Sequence, residues 1–439
     1  MVAAAKPGTF KRNVKWQMVG SATQALLSGL LLLLTGRELQ ASGFGVFSII
    51  MGFVYVANLL LEPRIQDVAA KQFWNFDHDT ATRRHHSHYF IDLFVLEALG
   101  KLVPCVALVV LAPVLANAGN LPPGASVLII VAAFGTYLSK LGFGLSVGLL
   151  RVLGRSDLFT LCATGELVAR LLLTLALVRF SELTITGCIV VLCISGIASN
   201  VVQWVLVARQ FGSVRGALRE WRPAAAIGRL RENRRLLLSN LGLSASDLMN
   251  KDLDITLISP LMPADQVGIY KMAKNITLLT WRAIDPFYLA LMPELSRLVS
   301  TGNFAGVKRL LGKSSLGLLA LAGCLSLTSY VLLILFGDSV LGTAYSNVPK
   351  LIPWMLIGVL CSAPLVWGHP LSVALGRAEI AVSGSLLGSV IGLFAFLILT
   401  PHFGALGAGI AWTMTFMTHF IFTSSVSHRL FRKRAQAAQ

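Results

Sequence analysis

Charge is scarce in this chain, and acidic charge is scarcest. Asp, Glu, Lys and Arg together make up 13% of its 439 residues, about half the share of roughly 25% found in soluble domains. Apolar residues take 55%, and the mean hydropathy is +0.73. A water-soluble fold of this size could not hide so much apolar surface, so lipid is the expected solvent. Cysteine chemistry is also missing. Cys105, Cys162, Cys188, Cys193, Cys324 and Cys361 form no CxxC pair and sit inside apolar runs, so they read as small buried hydrophobes rather than zinc or redox ligands. No Walker A or G-x-S-x-G sequence occurs, which removes an internal ATPase and a hydrolase nucleophile elbow. No cofactor is implied.

Histidines crowd one segment, with Asp77-His78-Asp79 followed by His85-His86-Ser87-His88, while His369, His402, His419 and His428 are scattered singly. A membrane diiron site needs several separated His clusters. One cluster reads as a solvated loop, and no metal is expected.

What the chain has in abundance is apolar runs near the ~20 residues that cross a bilayer. Twelve spans are expected, at 16–34, 43–61, 88–111, 126–150, 158–178 and 184–207, then at 236–259, 267–292, 310–336, 349–375, 380–399 and 404–426. The first run is too long for a signal-peptide core and reads as a retained helix. Pro104, Pro353, Pro364 and Pro370 fall inside spans and are expected to kink them. With the N-terminus inside, the inner segments hold 27 Lys and Arg and the outer loops 3, namely Arg37, Arg179 and Lys350. That asymmetry puts both termini in the cytoplasm. It also accounts for most of the +17 net charge, so no nucleic-acid partner is needed. The basic stretch 209–235 reads either as an amphipathic helix on the anionic inner leaflet or as a solvated linker.

Three matches recur at nearly one displacement. Ala41-Ser-Gly-Phe-Gly45-Val-Phe47-Ser resembles Ala264-Asp-Gln-Val-Gly268-Ile-Tyr270-Lys, 223 residues on, and Glu62-Pro63 resembles Asp285-Pro286 at the same displacement. Leu153-Gly154-Arg155-Ser-Asp157-Leu158 resembles Leu375-Gly376-Arg377-Ala-Glu379-Ile380 at 222. A duplicated six-helix half follows. An even helix number keeps both copies in one orientation, so the repeats are parallel about the membrane normal, with a cavity between them. The expected fold is an all-α polytopic membrane protein of about 12 transmembrane helices in two parallel six-helix lobes around a central cavity. Residues 1–208 form the N-terminal lobe and 209–235 a basic cytoplasmic linker. Residues 236–427 form the C-terminal lobe and 428–439 a basic tail.

Polar side chains fall in stripes. Asn240, Ser244, Asp247, Lys251 and Asp254 share one helical face in the seventh span, and Gln17, Ser21, Gln24 and Ser28 share one in the first. Lys271, Asn275, Arg282 and Asp285 share a face in the eighth, with Lys274 at its edge. Polar groups facing lipid are expensive, so these stripes line a cavity or hydrogen-bond across a dry helix interface. In the cavity reading Lys251, Arg282, Lys271, Lys274, Gln17, Gln24, Asn240 and Asn275 contact the substrate. Asp247, Asp254 and Asp285 pair with cations or couple transport. An anionic, phosphate-bearing ligand suits the cations, with Arg for bidentate contact and Lys as a point charge. A competing reading ends the seventh helix near Asn250 and leaves Lys251 to Lys274 around an outer loop. Glu166 and Arg170 read as a structural i, i+4 pair, and Lys101 and Lys140 as snorkelling side chains.

At Gly36-Arg-Glu-Leu-Gln-Ala-Ser-Gly-Phe-Gly-Val-Phe47 the sequence resembles the polysaccharide-transporter family, the oligosaccharide flippases of the MOP superfamily. The likeness continues at Asp252 to Ala273, through Val267-Gly268-Ile269-Tyr270, and at the Leu-Gly-Arg turns of Arg155 and Arg377. The chain departs from the family at Glu62-Pro63-Arg64, where Asp-Gly is common. The resemblance implies a non-enzymatic transporter in a bacterial inner membrane. It would flip a polyprenyl-diphosphate-linked oligosaccharide by alternating access, for O-antigen, capsule or exopolysaccharide synthesis. It implies a lipid-linked oligosaccharide substrate in the lipid bilayer and leaves room for polysaccharide polymerases as partners. Two other readings stand beside it. A multidrug or organic-cation antiporter of the same superfamily would want an acidic or aromatic cavity. A polysaccharide polymerase or ligase would want a large outer loop.

Overall fold

The computed structural model describes residues 7–62, 64–73, 80–153, 155–211, 231, 237 and 252–437. Among them there is no strand, so the chain is an all-α membrane protein. In chain order the helices are α1 (Pro7–Leu60), α2 (Ile65–Phe73), α3 (Thr80–Ala118), α4 (Ala125–Lys140), α5 (Phe143–Val152), α6 (Ser156–Phe180) and α7 (Ile185–Phe211). They continue with α8 (Leu253–Ile258), α9 (Ala264–Arg282), α10 (Asp285–Ser300), α11 (Phe304–Leu341), α12 (Val348–Ser362), α13 (Gly368–Ala374) and α14 (Glu379–Ala437).

Eight stretches among the described residues are long and apolar enough to cross a membrane. Two of them run to 51 and 58 residues, and the long helices within them, α1 and α14, each leave helical geometry once. α1 leaves helical geometry at Gln40, with φ 55° and ψ 179°, where an outer loop was expected between the first two spans. α14 does so at Gly404, where the eleventh and twelfth spans were divided. The expected eighth span is α9 followed by α10. The seventh lies largely outside the described residues. Pro364 falls in a 3₁₀ turn, Ala363–Leu365, that interrupts the tenth span. Pro370 sits in the first turn of α13, where its missing N–H costs nothing. Pro104 and Pro353 lie inside α3 and α12 without ending them.

Two compact units result. The first comprises Met1–Leu31, Ile50–Asn117 and Leu121–Leu248. Its core joins Ile65, Val68, Ala69 and Phe73 of α2 to Leu93 of α3, Leu145 and Leu149 of α5, and Val207 of α7. The apolar positions of α2 recur every three or four residues, so a segment expected only as an inner loop folds as an amphipathic helix. The second unit comprises Leu32–Ile49, Ala118–Asn120 and Met249–Gln439. Its core joins Leu291, Leu295 and Leu298 of α10 to Val307 and Leu311 of α11, Leu371 of α13 and Phe431 of α14. Displaced by 223 residues, α2 falls within α10, and α5 overlaps α13. The duplicated sequence thus folds into matching pieces inside each unit.

The repeat motifs themselves meet within the second unit. The segment of α1 that starts at Ala41 crosses α9 at its start. A Cβ on Gly45 would overlap the Ala264 carbonyl oxygen, and one on Gly268 would overlap that of Ala41. Each helix presents its glycine to the other's alanine carbonyl, so the contact maps onto itself when the two are exchanged.

Candidate functional site

A cluster of paired, largely buried charge lies in the second unit where α8 turns into α9. Asp252 precedes α8, and Asp254 is its second residue. Pro263 caps α9, which carries Tyr270, Lys271 and Lys274 over its second and third turns. Tyr270 and Lys274 stand four apart, so both reach the same neighbour. That neighbour is Asp254, fully buried, as is Lys274. Lys274 Nζ donates to both Asp254 carboxylate oxygens, at 2.8 and 2.7 Å. Tyr270 Oη donates to Oδ2, and the Ile255 amide to Oδ1 at 2.9 Å. Lys271 Nζ donates to Asp252 at 2.5 Å, and Lys274 approaches the same carboxylate at 3.8 Å. The Tyr270 ring meets Phe396 of α14 edge-on. The acids and lysines match in number, and every oxygen of Asp254 is engaged. Such satisfaction is the condition on which buried charges are tolerated.

The model of one family, described as polysaccharide biosynthesis protein, matches residues 10–299. The chain belongs to this polysaccharide biosynthesis family. Solved structures extend the likeness to the whole fold. An inward-facing multidrug resistance MATE family transporter of the MOP superfamily superposes with TM-score 0.70 at 14% identity, covering 94% of this chain and 95% of that one. Lipid II flippase MurJ, inward closed, gives TM-score 0.64 at 13% identity, covering 96% and 90%. A mutant of the Vibrio cholerae MATE transporter VcmN gives 0.57 at 15%, covering 98% and 97%. This member of the polysaccharide biosynthesis family therefore has the MOP transporter fold. No curated protein matches it significantly.

The structure brings together three of the residues singled out in the sequence of this family member, Lys271, Lys274 and Asp254. α8 and α9 are helical up to and after a five-residue turn, so both lysines stand within a helix and not in an outer loop. Arg282 is exposed at the end of α9, with no ion-pair partner among the described residues. Asn275 is half-buried between them. Gln24, in the first unit, lies 3.4 Å from the Thr164 hydroxyl of α6. Asn240, Asp247 and Lys251 lie outside the described residues. Gln17 stands on α1 and Asp285 opens α10, in positions where only the backbone is described. The same holds for His85, His86 and His88 on α3, whereas Asp77, His78 and Asp79 fall outside the description.

Two members of the cluster were not singled out as site residues, Asp252 and Tyr270. Their signal was present. Two acids precede the turn and two lysines follow it, and a tyrosine sits one helical turn before the second lysine. In the first unit Glu166 and Arg170 do pair, at 2.6 Å. Lys101 departs from expectation. It is buried and faces Glu62 at 3.6 Å, whereas a snorkelling lysine would reach water.

Proposed function

We propose that this protein flips a polyprenyl-diphosphate-linked oligosaccharide across a bacterial cytoplasmic membrane, for O-antigen, capsule or exopolysaccharide synthesis. The observation that carries the reading is the match to the polysaccharide biosynthesis family over 10–299 on a fold shared with a lipid II flippase. Arg282 is the cation best suited to a diphosphate, being exposed and presenting a planar fork. Lys271 and Asn275 follow its face toward Asp252. Lys274, wholly enclosed and held by Asp254, supports the site and does not touch the ligand directly. Gln17, Gln24, Asn240, Asp247, Lys251 and Asp285 complete the proposed lining.

The fold of the multidrug transporter supports a second reading, an organic-cation antiporter. The acids around α8 argue against it, because Asp252 and Asp254 are already matched by Lys271 and Lys274. Complementation separates the two. In a strain lacking its own oligosaccharide flippase, this chain is expected to restore polysaccharide export and to confer no added resistance to organic cations. Arg282→Lys should keep part of the export, and Arg282→Gln should lose more, at equal protein level. Full export by the Lys251→Gln, Arg282→Gln double variant would remove these residues from the site. Resistance without export would establish the antiporter.

The proposed topology has both termini in the cytoplasm. A reporter active only in the periplasm is expected to be silent when fused after His428 and active when inserted near Ala118. The reverse pattern would invert the orientation drawn from the Lys and Arg asymmetry.

A further inference from the structure

The fourth expected span is broken in the first unit. α4 ends at Lys140 and α5 starts at Phe143, with Gly142 between them at φ +68°. A break within the membrane strands backbone groups that water cannot reach, and protein must satisfy them. The carbonyl side is held by α7. Asn200 Nδ2 donates to Leu141 O at 3.0 Å, and the Trp204 indole N–H donates to the same oxygen at 3.1 Å. The amide side is held by Glu97 of α3, buried at 3% exposure. Its Oε1 accepts from Gly144 N at 2.7 Å and its Oε2 from Leu145 N at 2.9 Å.

The second unit breaks its matching span at Ala363–Leu365, where a 3₁₀ turn keeps the Val366 amide bonded to Ala363 O and hydroxyls serve the carbonyls. There Ser315 Oγ donates to Pro364 O at 2.7 Å and Ser424 Oγ to Leu365 O at 2.8 Å. Trp367 Nε1 bonds the Ser315 hydroxyl. Only the first unit answers its break with a carboxylate among the described residues, and a carboxyl at this depth is costly.

Glu97 also has charged company. Lys101 and Glu62 lie within electrostatic range of it and pair with each other at 3.6 Å. Lys140, at the other lip of the break, lies over the Phe143 ring and within electrostatic range of Lys101, Glu62, Glu166 and Arg170. With Glu97 ionised, three carboxylates stand among three cations, and one added proton leaves the cluster with a single positive charge. An acceptor is left over as well. Asn200 Oδ1 is buried and finds no hydrogen-bond partner among the described residues.

We propose that Glu97 is a proton-binding site that couples transport to the broken fourth span of the first unit. The inference rests on the transport reading but not on the nature of the cargo. A proton suits the site better than a metal ion, because both carboxylate oxygens already accept amide N–H bonds and a proton needs only one of them. The ionised carboxylate clamps the start of α5 through two charge-assisted bonds, favoured further by the helix dipole. Protonation at one oxygen takes that oxygen from its amide, neutralises the clamp and loosens α5 against α4. Deprotonation restores both bonds.

Trp204 is a built-in reporter, bonded to the break and set edge-on against Phe90 and Phe94. The test follows tryptophan fluorescence of the purified full chain in nanodiscs, without cargo, from about pH 5 to about pH 9, the range that covers buried carboxyls. A one-proton transition carried by Trp204, distinct from the signal of Trp367 against His428, is expected in the native protein. It should vanish in Glu97→Gln, persist with a displaced midpoint in Glu97→Asp, and lose most of its amplitude in Trp204→Phe. Absence of the transition in the native protein, its persistence in Glu97→Gln, or an undiminished signal in Trp204→Phe would overturn the site. In the export strain, Glu97→Gln at normal protein level should lose export and Glu97→Asp should keep part of it. Full export by Glu97→Gln would overturn the coupling. Failure of the native chain to restore export would instead count against the flippase reading, and the fluorescence result would stand apart from it.

Discussion

Replacing Lys274 by methionine is expected to leave little folded protein in the membrane. The substitution keeps the length of the side chain but strands Asp254, which is completely buried and holds its carboxylate between Lys274, Tyr270 and the Ile255 amide. Removing one member of a buried ion pair typically costs about 3–5 kcal/mol, because the other charge remains without compensation. That is a large part of the roughly 5–15 kcal/mol by which folded proteins exceed their unfolded state. The Asp254→Asn, Lys274→Met double variant removes both charges, keeps an oxygen for the Ile255 amide and offers an NH2 group to the Tyr270 hydroxyl, which can turn to accept, so it should recover most of the loss. Lys271→Met is expected to be milder, since its pair with Asp252 is partly exposed. The measurements are the yield of monodisperse protein after detergent extraction and its thermal midpoint. A Lys274→Met protein as stable as the native chain would show that the cluster carries no structural weight.

Alanine at Gly268 is expected to be nearly as damaging as leucine. The obstacle there is the Cβ itself, which would overlap the Ala41 carbonyl oxygen, and backbone cannot rotate out of the way as a side chain tip can. The reciprocal Gly45→Ala meets the Ala264 carbonyl and should behave alike. Overpacking of a tight site costs typically about 1–3 kcal/mol. Gly312 on α11 is the control, because nothing lies within 4 Å of its would-be Cβ. Alanine there should be neutral or stabilise by roughly 0.5–1 kcal/mol through helix propensity. Thermal unfolding of the variants checks both. If Gly268→Ala melts with Gly312→Ala, the two helices can part at little cost and the crossing is not close-packed.

Much of this was legible in the residues. Long apolar runs announce membrane helices because each must satisfy its own backbone and match the bilayer's thickness. The glycines at 45 and 268 stood out as a repeat before their contact was visible. Other features were hidden by the logic of one-dimensional pattern. α2 was covered by its charges, Arg64, Asp67 and Lys71, although Ile65, Val68, Ala69 and Phe73 already traced one helical face. Lys271 and Lys274 looked like free cations for a ligand. Their partners Asp252 and Asp254 lie about 20 residues earlier, across a turn, and helical spacing arguments do not reach across a turn. The partner of Lys101 is hidden in the same way, since Glu62 belongs to a different segment.

The amino-acid sequence by itself determined the solvent, the helical class and the internal duplication, because hydropathy, backbone satisfaction and repeat spacing are properties of local segments. Only the tertiary structure decided which charges neutralise one another and how each broken span is sealed. Glu97 has no neighbour in sequence that marks it as the clamp on Gly144 and Leu145, and Ser315 has none that marks it as the donor to Pro364. Those roles arise from Coulomb attraction and hydrogen bonding over a few ångströms between segments far apart in the chain, in a medium where an unpaired polar group is too costly to leave alone.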